Sequence, residues 1–301
     1  MKLFLLILAT FIWGAGFVGT RWTLFDFGPV WSNGLRFVFA AVFGILITLF
    51  LSAKKKISVK DLVYSKDALY CGATLWLALQ LQTIGIGLTT LSKSGFLTTF
   101  YALFTPIICL VWFKKSFRKS FWALLALSLV GVAFLCELEV SNINTGDLFI
   151  LMSALFFSIH IILIDRYCSD VDSFVFNLQQ IYVVAIISIP FGFIFEGVPN
   201  LSVLTTLKAL QLGSSLWGFI ILSIFSSIIA FSIQVYAQKG IKAHIVGMVF
   251  LMESVFSSFF GFLLFQEQLS PLMIFGCVLI LVAVGLIPVV LRPKRSKAVS
   301  V

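Results

Sequence analysis

Charge is what this 301-residue sequence has least of: only 11% of its positions are Asp, Glu, Lys or Arg. An ordinary soluble domain has about 25%. So few charges could not cover a water-facing surface at this length, which excludes a globular cytosolic enzyme. The nucleotide-binding sequence G-x-x-x-x-G-K-[ST] is missing, which disfavours ATP-driven work by this chain alone. Neither H-E-x-x-H nor G-x-S-x-G occurs, and no close pair of intramembrane aspartates, so a membrane-embedded enzyme would lack its constellation. The five cysteines (Cys71, Cys109, Cys136, Cys168 and Cys277) show neither C-x-x-C nor C-x-x-H spacing. That argues against a disulfide framework or a zinc site and reads as buried single thiols. No cofactor is expected.

Apolar residues make up 60% of the chain, 34 of them Phe, and the mean hydropathy is +1.12. A bilayer core about 30 Å thick needs about 20 mostly apolar residues in a helix. Ten such runs can be read, at 3–24, 30–51, 67–88, 92–113, 119–137, 146–164, 174–195, 213–236, 243–265 and 271–291. The first follows Lys2 as a signal peptide would. It runs on to Leu24 without a small-x-small cleavage site, so it reads as a retained helix. The net charge of +9 could suggest nucleic acid, but its bases sit between apolar blocks and form no basic face. With the N-terminus inside, 17 of the 21 basic residues fall in inside segments. The positive-inside rule then places both termini in the cytoplasm, with membrane lipid as the partner that the basic residues meet.

The chain also repeats itself. An offset of 152 sets Gln82 on Gln234, Gly95 on Gly247, Tyr101 on Glu253 and Lys115 on Glu267. Near the start of each half an offset of 144 sets Asp26 on Asp170, Asn33 on Asn177 and Arg36 on Gln180. Late in each half Gly131 meets Gly285 with a small shift. Each half holds five spans, and an odd number inserts the halves in opposite directions. The charges agree: the loop "KKSFRKS" is basic, whereas its counterpart "QEQLSP" carries one acid. The expected fold is all-α and integral to the membrane, ten transmembrane helices as two inverted five-helix repeats. The expected units are 1–140, 141–291 and a basic cytoplasmic tail, 292–301. Such repeats place a binding site near the midplane between them.

Four stretches, "IWGAGFVGTRW", "LRF", "GLTTLSKSGFLTTFYALFTPIICLVWF" and "GIKAHIVGMVFLMESVFSSFFGFLLFQEQLSPLMIFGCVLILVAVGLI", together resemble the EamA family of the drug/metabolite transporter superfamily. The resemblance extends over essentially the whole chain. It implies a ten-helix bundle that moves small metabolites, such as amino acids, across an inner membrane. Two positions depart from the pattern. Lys115 stands where the family's turn carries an acid, and Ser258 matches the Pro of the fourth helix.

Ionisable groups within a span cost about 2.5–3.5 kcal/mol on insertion scales, so each invites a functional reading. Glu253, eleven residues into the ninth span, is a candidate proton acceptor or counter-ion for an amine. Its repeat mate Tyr101 could present a hydroxyl and a ring. His160 is either a titrating group or a neutral helix–helix hydrogen bonder. Arg36 could bind a carboxylate in bidentate fashion, or else snorkel to the interface or pair with Asp26. Trp13, Trp76, Gln80, Gln82, Gln234 and Tyr236 add rings and amides at cavity depth, with Trp13 the preferred aromatic wall. Trp22, Trp31 and Trp112 read as interface-belt residues. Asp165, Arg166, Asp170 and Asp172 read as a solvated loop. The glycines at 14, 16, 19, 85 and 87 suit close helix packing. A secondary transporter for a small-molecule metabolite, as a monomer or homodimer, is the expectation. A multi-pass enzyme and a non-transporting receptor or scaffold are the alternatives.

Overall fold

The computed structural model describes residues 1–53, 65–89, 91–135, 143–169, 171–266 and 268–290. Among these every regular element is helical, as lipid demands, because a helix satisfies its backbone polar groups within one segment. The elements are α1 (Lys2–Thr23), α2 (Pro29–Ala53), α3 (Lys66–Leu88), α4 (Leu91–Thr98), α5 (Tyr101–Phe113), α6 (Lys119–Leu135), α7 (Thr145–Tyr167) and α8 (Ser173–Phe195). Next come α9 (Ser215–Ile220), a π-helical stretch Ile221–Ala230 and α10 (Phe231–Gln238), which together make one span. The last are α11 (Ala243–Phe250), α12 (Met252–Phe265) and α13 (Pro271–Val290). Among the described residues nine helical runs are long and apolar enough to cross a bilayer, and the 17-residue α6 completes ten. All ten expected runs are therefore helical. Glu267, Asp170, Cys136, the lysines at 54–60 and the tail 292–301 lie outside the described residues.

The internal repeat is visible in backbone detail. The fourth span breaks between Thr98 and Tyr101. The ninth breaks at Leu251, between Phe250 and Met252, which is the matching place. The helices beyond these breaks both end on a left-handed residue, Lys114 (φ 50°) and Gln266 (φ 53°), 152 positions apart. Their backbone caps reach Cys109 and Gly261, again a matched pair. Asn33 donates to Gln80 Oε1 at 3.4 Å, and its mate Asn177 donates to Ser232 Oγ at 3.0 Å, Ser232 being the mate of Gln80. Apolar periodicity alone would not reproduce side-chain bonds and a strained backbone position at one offset.

Packing follows the small residues. At the α6–α13 crossing a Cβ on Gly131 would lie 2.8 Å from the carbonyl oxygen of Gly276, and one on Gly276 would lie 2.4 Å from that of Gly131. α1 crosses α9 equally closely, where a Cβ on Gly218 would meet the Gly19 carbonyl at 2.6 Å. In lipid such contacts hold helices together by van der Waals packing, since apolar burial gives little drive there.

Long-range polar bonds fix the helix ends. Glu196, at the end of α8, caps α2 by accepting from Val30 N and Trp31 N, both at 2.8 Å. α7 opens with a capping box between Asn144 and Asp147, and Asp147 also faces Lys93 at 3.8 Å. Three readings are corrected by this packing. Trp22 and Trp31 are buried at 5% exposure and so do not form an interface belt; Trp31 Nε1 donates to Gly197 O at 2.7 Å. Trp112, by contrast, is exposed. Asp172 is a helix cap rather than a solvated loop residue, accepting from Phe174 N and Val175 N at 3.0 Å. The four described cysteines are free thiols, three of them buried.

Candidate functional site

Where the two halves meet, residues of spans 1, 2, 3, 4, 6, 8 and 9 enclose a narrow cavity. It holds about 580 Å³ between its walls. Seven pairs of repeat mates line it: Trp13 with Phe157, Gly16 with His160, Phe17 with Ile161, Leu79 with Phe231, Gln82 with Gln234, Thr98 with Phe250, and Tyr101 with Glu253. The cavity thus sits on the pseudo-twofold axis between the halves.

The walls are aromatic and the polar groups converge. Trp13 packs at 4.9 Å from Phe250 and 5.1 Å from Phe231, ring centre to ring centre. The Tyr101 hydroxyl lies 2.9 Å from the Phe250 carbonyl oxygen and 3.2 Å from Glu253 Oε2. The break in the ninth span explains this contact, since it turns the Phe250 carbonyl away from its own helix and toward the other half. Gln82 Nε2 donates to Thr98 Oγ1 at 3.2 Å. On the other side, Gln234 Nε2 donates to Gln238 Oε1, and Gln238 Nε2 to Ile161 O, both at 2.8 Å.

Arg36 is buried at 5% exposure. Its Nε donates to Ser227 Oγ and its Nη2 to Ser226 Oγ, both at 2.8 Å. Among the described residues Arg36 and Asp26 form no ion pair within 4 Å, and Asp26 Oδ2 instead accepts from Ser215 Oγ at 2.5 Å; nor does the buried guanidinium snorkel. The π-helical stretch brings the consecutive residues Ser226 and Ser227 to one guanidinium. The Ser227 and Ile228 carbonyls in it also accept from Asn177 Nδ2 at 3.0 and 3.1 Å. Among the described residues no carboxylate lies within 4 Å of Arg36. One hydroxyl on each of two nitrogens leaves donors of its five N–H fork available to a ligand.

His160 Nε2 bonds Gln180 Oε1 at 2.8 Å. This is the helix–helix bond that the sequence suggested, made by a residue that also faces the cavity. Trp13 Nε1 and Gln234 Oε1 are buried without a hydrogen-bond partner among the described residues, leaving one donor and one acceptor open in the walls.

Seven of the ten expected site residues therefore meet: Trp13, Arg36, Gln82, Tyr101, His160, Gln234 and Glu253. The other three lie elsewhere. Gln80 is 3.4 Å from both Asn33 and the Pro29 carbonyl oxygen. Trp76 packs on Phe191 at 4.7 Å. Tyr236 is exposed beside the Lys2 ammonium, 5.4 Å from its ring centre. Phe157, Phe231, Phe250, Thr98, Ser226 and Ser227 were not singled out from sequence. Only Phe157 was within reach, as the mate of Trp13 at the offset of 144; Phe231 pairs with Leu79, and Phe250 with Thr98, none of which stands out in the sequence. The serines had no such signal, since a π-helix cannot be read from hydrophobic spacing.

The cavity does not treat its two ends alike. Thr20 and Ile86, near the Thr23 and Leu88 ends of α1 and α3, line it. Their mates Ile164 and Gln238, toward the Lys2 end of the bundle, are sealed at 0% and 3% exposure. All four are buried, Thr20 and Ile86 at 7% each, and among the described residues the cavity reaches further toward the Thr23 end than toward the Lys2 end.

Comparisons with known proteins agree with this architecture. A solved structure described as a crystal structure of a protein shares the fold, with a TM-score of 0.74 over 96% of this chain and 95% of that one, at 17% identity. An uncharacterized transporter of Archaeoglobus fulgidus is 29% identical over 279 residues, 93% of this chain and 83% of that protein. The uncharacterized transporter YoaV of Bacillus subtilis is 24% identical over 280 residues, 91% of this chain and 92% of its own. The sequence pattern of the EamA-like transporter family matches residues 1–136 and again 144–288, one match for each half. This multi-pass membrane chain belongs to the EamA-like transporter family.

Proposed function

We propose that the chain is a secondary transporter of a small zwitterionic metabolite, an amino acid or a related amine, working by alternating access at the cavity between its halves. The observation that carries this reading is the joint presence of Arg36 and Glu253 on one aromatic-walled cavity, with no ion pair within 4 Å between them. A buried charge without a partner is costly. A ligand with a carboxylate at one end and an ammonium at the other compensates both. Trp13 Nε1 then offers a further donor and Gln234 Oε1 a further acceptor. The wall rings suit an apolar body between the two ends.

Alternating access follows from the two-fold relation. Exchanging the conformations of the two halves would open Ile164 and Gln238 to the cavity and seal Thr20 and Ile86. The Gln234–Gln238–Ile161 hydrogen-bond chain is the element that has to part. Glu253 couples a proton or sets the charge preference, and exchange of one metabolite for another uses the same path. The excess of Lys and Arg at the Lys2 end supports a reading in which this end faces the cytoplasm across an inner membrane.

The test is an uptake screen in proteoliposomes with labelled amino acids and amines, with and without an imposed proton gradient. Accumulation that stops in Arg36→Gln supports the reading. Chemical conversion of a substrate without net movement overturns it.

A further inference from the structure

At the Lys2 end of the bundle, well away from the central cavity, the chain builds a second recess. It is open, with about 950 Å³ between its walls and mouth. One wall is the connection between α5 and α6, with Lys115, Ser116, Phe117 and the third basic residue Arg118, continued by Phe121 of α6; the other is the start of α11, with Lys242 and His244. The left-handed residue Lys114 ends α5 and turns the chain across the bundle. The His244 ring lies 4.6 Å from Phe117 and 5.2 Å from Phe121, centre to centre, so the floor is a packed aromatic cluster rather than loose surface. Lys115 and Lys242 are exposed at the rim. Asp165 is the acid in electrostatic reach of both, and it also accepts from the Ala243 backbone N–H. Among the described residues it forms no ion pair within 4 Å with either lysine.

The repeat does not demand this chemistry. At the matched positions of the other half stand Glu267 for Lys115, Leu269 for Phe117, Thr90 for Lys242 and Ser92 for His244. Topology accounts for lysines at one face. It does not account for an imidazole set between two phenyl rings under them. Basic pockets between helices at a membrane surface match phosphate-bearing headgroups in charge and depth.

We infer that this recess binds the phosphate of an anionic ligand, either a phospholipid headgroup or a free phosphate-bearing solute. Its walls come from opposite halves, so an occupant bridges them and favours the conformation closed at this end. Lys115 and Lys242 supply the charge, and His244 and Ser116 supply neutral hydrogen bonds.

The experiment uses the purified full-length protein in detergent and follows its thermal unfolding midpoint. The probes are phosphatidylglycerol, phosphatidylcholine and inorganic pyrophosphate. Phosphatidylglycerol or pyrophosphate raises the midpoint in a saturable way, and phosphatidylcholine does not. In Lys115→Ala/Lys242→Ala the apparent affinity falls by at least about tenfold, the worth of a charge-assisted bond. A response to phosphatidylglycerol that pyrophosphate does not displace identifies a lipid site. A response to pyrophosphate alone identifies a soluble anion. Lys242→Glu changes one exposed side chain and serves if the double variant does not fold; Lys208→Ala, at the opposite end, leaves the response intact. No shift with either anion overturns the inference, as does an equal shift in the parent and the variants.

Discussion

The two halves share backbone turns and helix breaks at matched positions yet differ at nearly every polar position that faces the cavity. Lys114 and Gln266 adopt the same left-handed turn, and Asn33 and Asn177 make matching bonds. Across the axis, however, Tyr101 faces Glu253, Gly16 faces His160, and Arg36 answers to Gln180. A symmetric pair of walls would suit a symmetric ligand. These walls hold a guanidinium from one half and a carboxyl from the other, so a bound molecule meets unlike ends. The repeat supplies the means of moving, and departures from it supply the chemistry of binding.

The most damaging way to erase that difference is Arg36→Gln, which puts the residue of the second half into the first. The change removes charge-assisted bonds worth about 1.5–3 kcal/mol each, and uptake of a zwitterion is expected to fall by about tenfold to a hundredfold. Initial rates in proteoliposomes check it. Unchanged rates would mean that Arg36 is a structural clamp on Ser226 and Ser227 alone.

Glu253→Gln neutralises the other pole while keeping its shape. The expected result is a change in charge preference among substrates, with loss of pH dependence between about pH 5 and 8, where an intramembrane acid can exchange its proton. Rates that vary with pH just as in the parent would remove Glu253 from proton handling.

The ends of the cavity can be compared as well as its walls. In an otherwise cysteine-free protein, Thr20→Cys is expected to react with a membrane-impermeant thiol reagent faster than its mate Ile164→Cys. Gln238→Leu, which cuts the bond to the Ile161 carbonyl, should narrow the gap by releasing about 0.5–1.5 kcal/mol of closure. Equal labelling in the parent background would show that both ends open alike.

Packing offers a milder test. Gly218→Ala puts a methyl 2.6 Å from the Gly19 carbonyl oxygen; overpacking of this kind costs about 1–3 kcal/mol and lowers the unfolding midpoint measured in detergent. Gly285→Ala, where no atom lies within 4 Å of the added methyl, should leave it unchanged. The smallest effect belongs to Tyr101→Phe. It deletes the hydroxyl shared by the Phe250 carbonyl and Glu253 and lowers uptake by a few fold.

Much of this was legible in the sequence because lipid imposes one solution on a chain with so few charges. All ten helices followed from runs of about 20 apolar residues, and the repeat followed from polar residues recurring at fixed offsets. Seven cavity residues were found by asking which polar or aromatic groups lay at mid-depth. Depth does not give direction, and that is why Trp76, Gln80 and Tyr236 were grouped with them. Each sits at a suitable depth, but its helix turns it toward Phe191, Asn33 or the surface beside Lys2. Trp22 and Trp31 fail in the opposite way. Near a span end a tryptophan reads as a belt residue, yet the chain around Gly213 and Gly197 covers both.

What the sequence determined by itself is the number of helices, their pairing into two opposed fives and the unequal share of basic charge at their ends. These depend on composition and order, which hydrophobic transfer and the positive-inside rule translate directly. Only the tertiary structure decided which polar groups converge. It placed Arg36 on two serines instead of Asp26, bridged Tyr101 to the Phe250 carbonyl and extended the cavity toward Thr20 and Ile86 rather than toward their mates. Those outcomes depend on helix rotation, on the π-helical stretch at Ile221–Ala230 and on two breaks in register, features that shift side chains without altering hydrophobicity. The scarcity of charge fixed the solvent of the chain, and the way the helices turn fixed what its few charges can do.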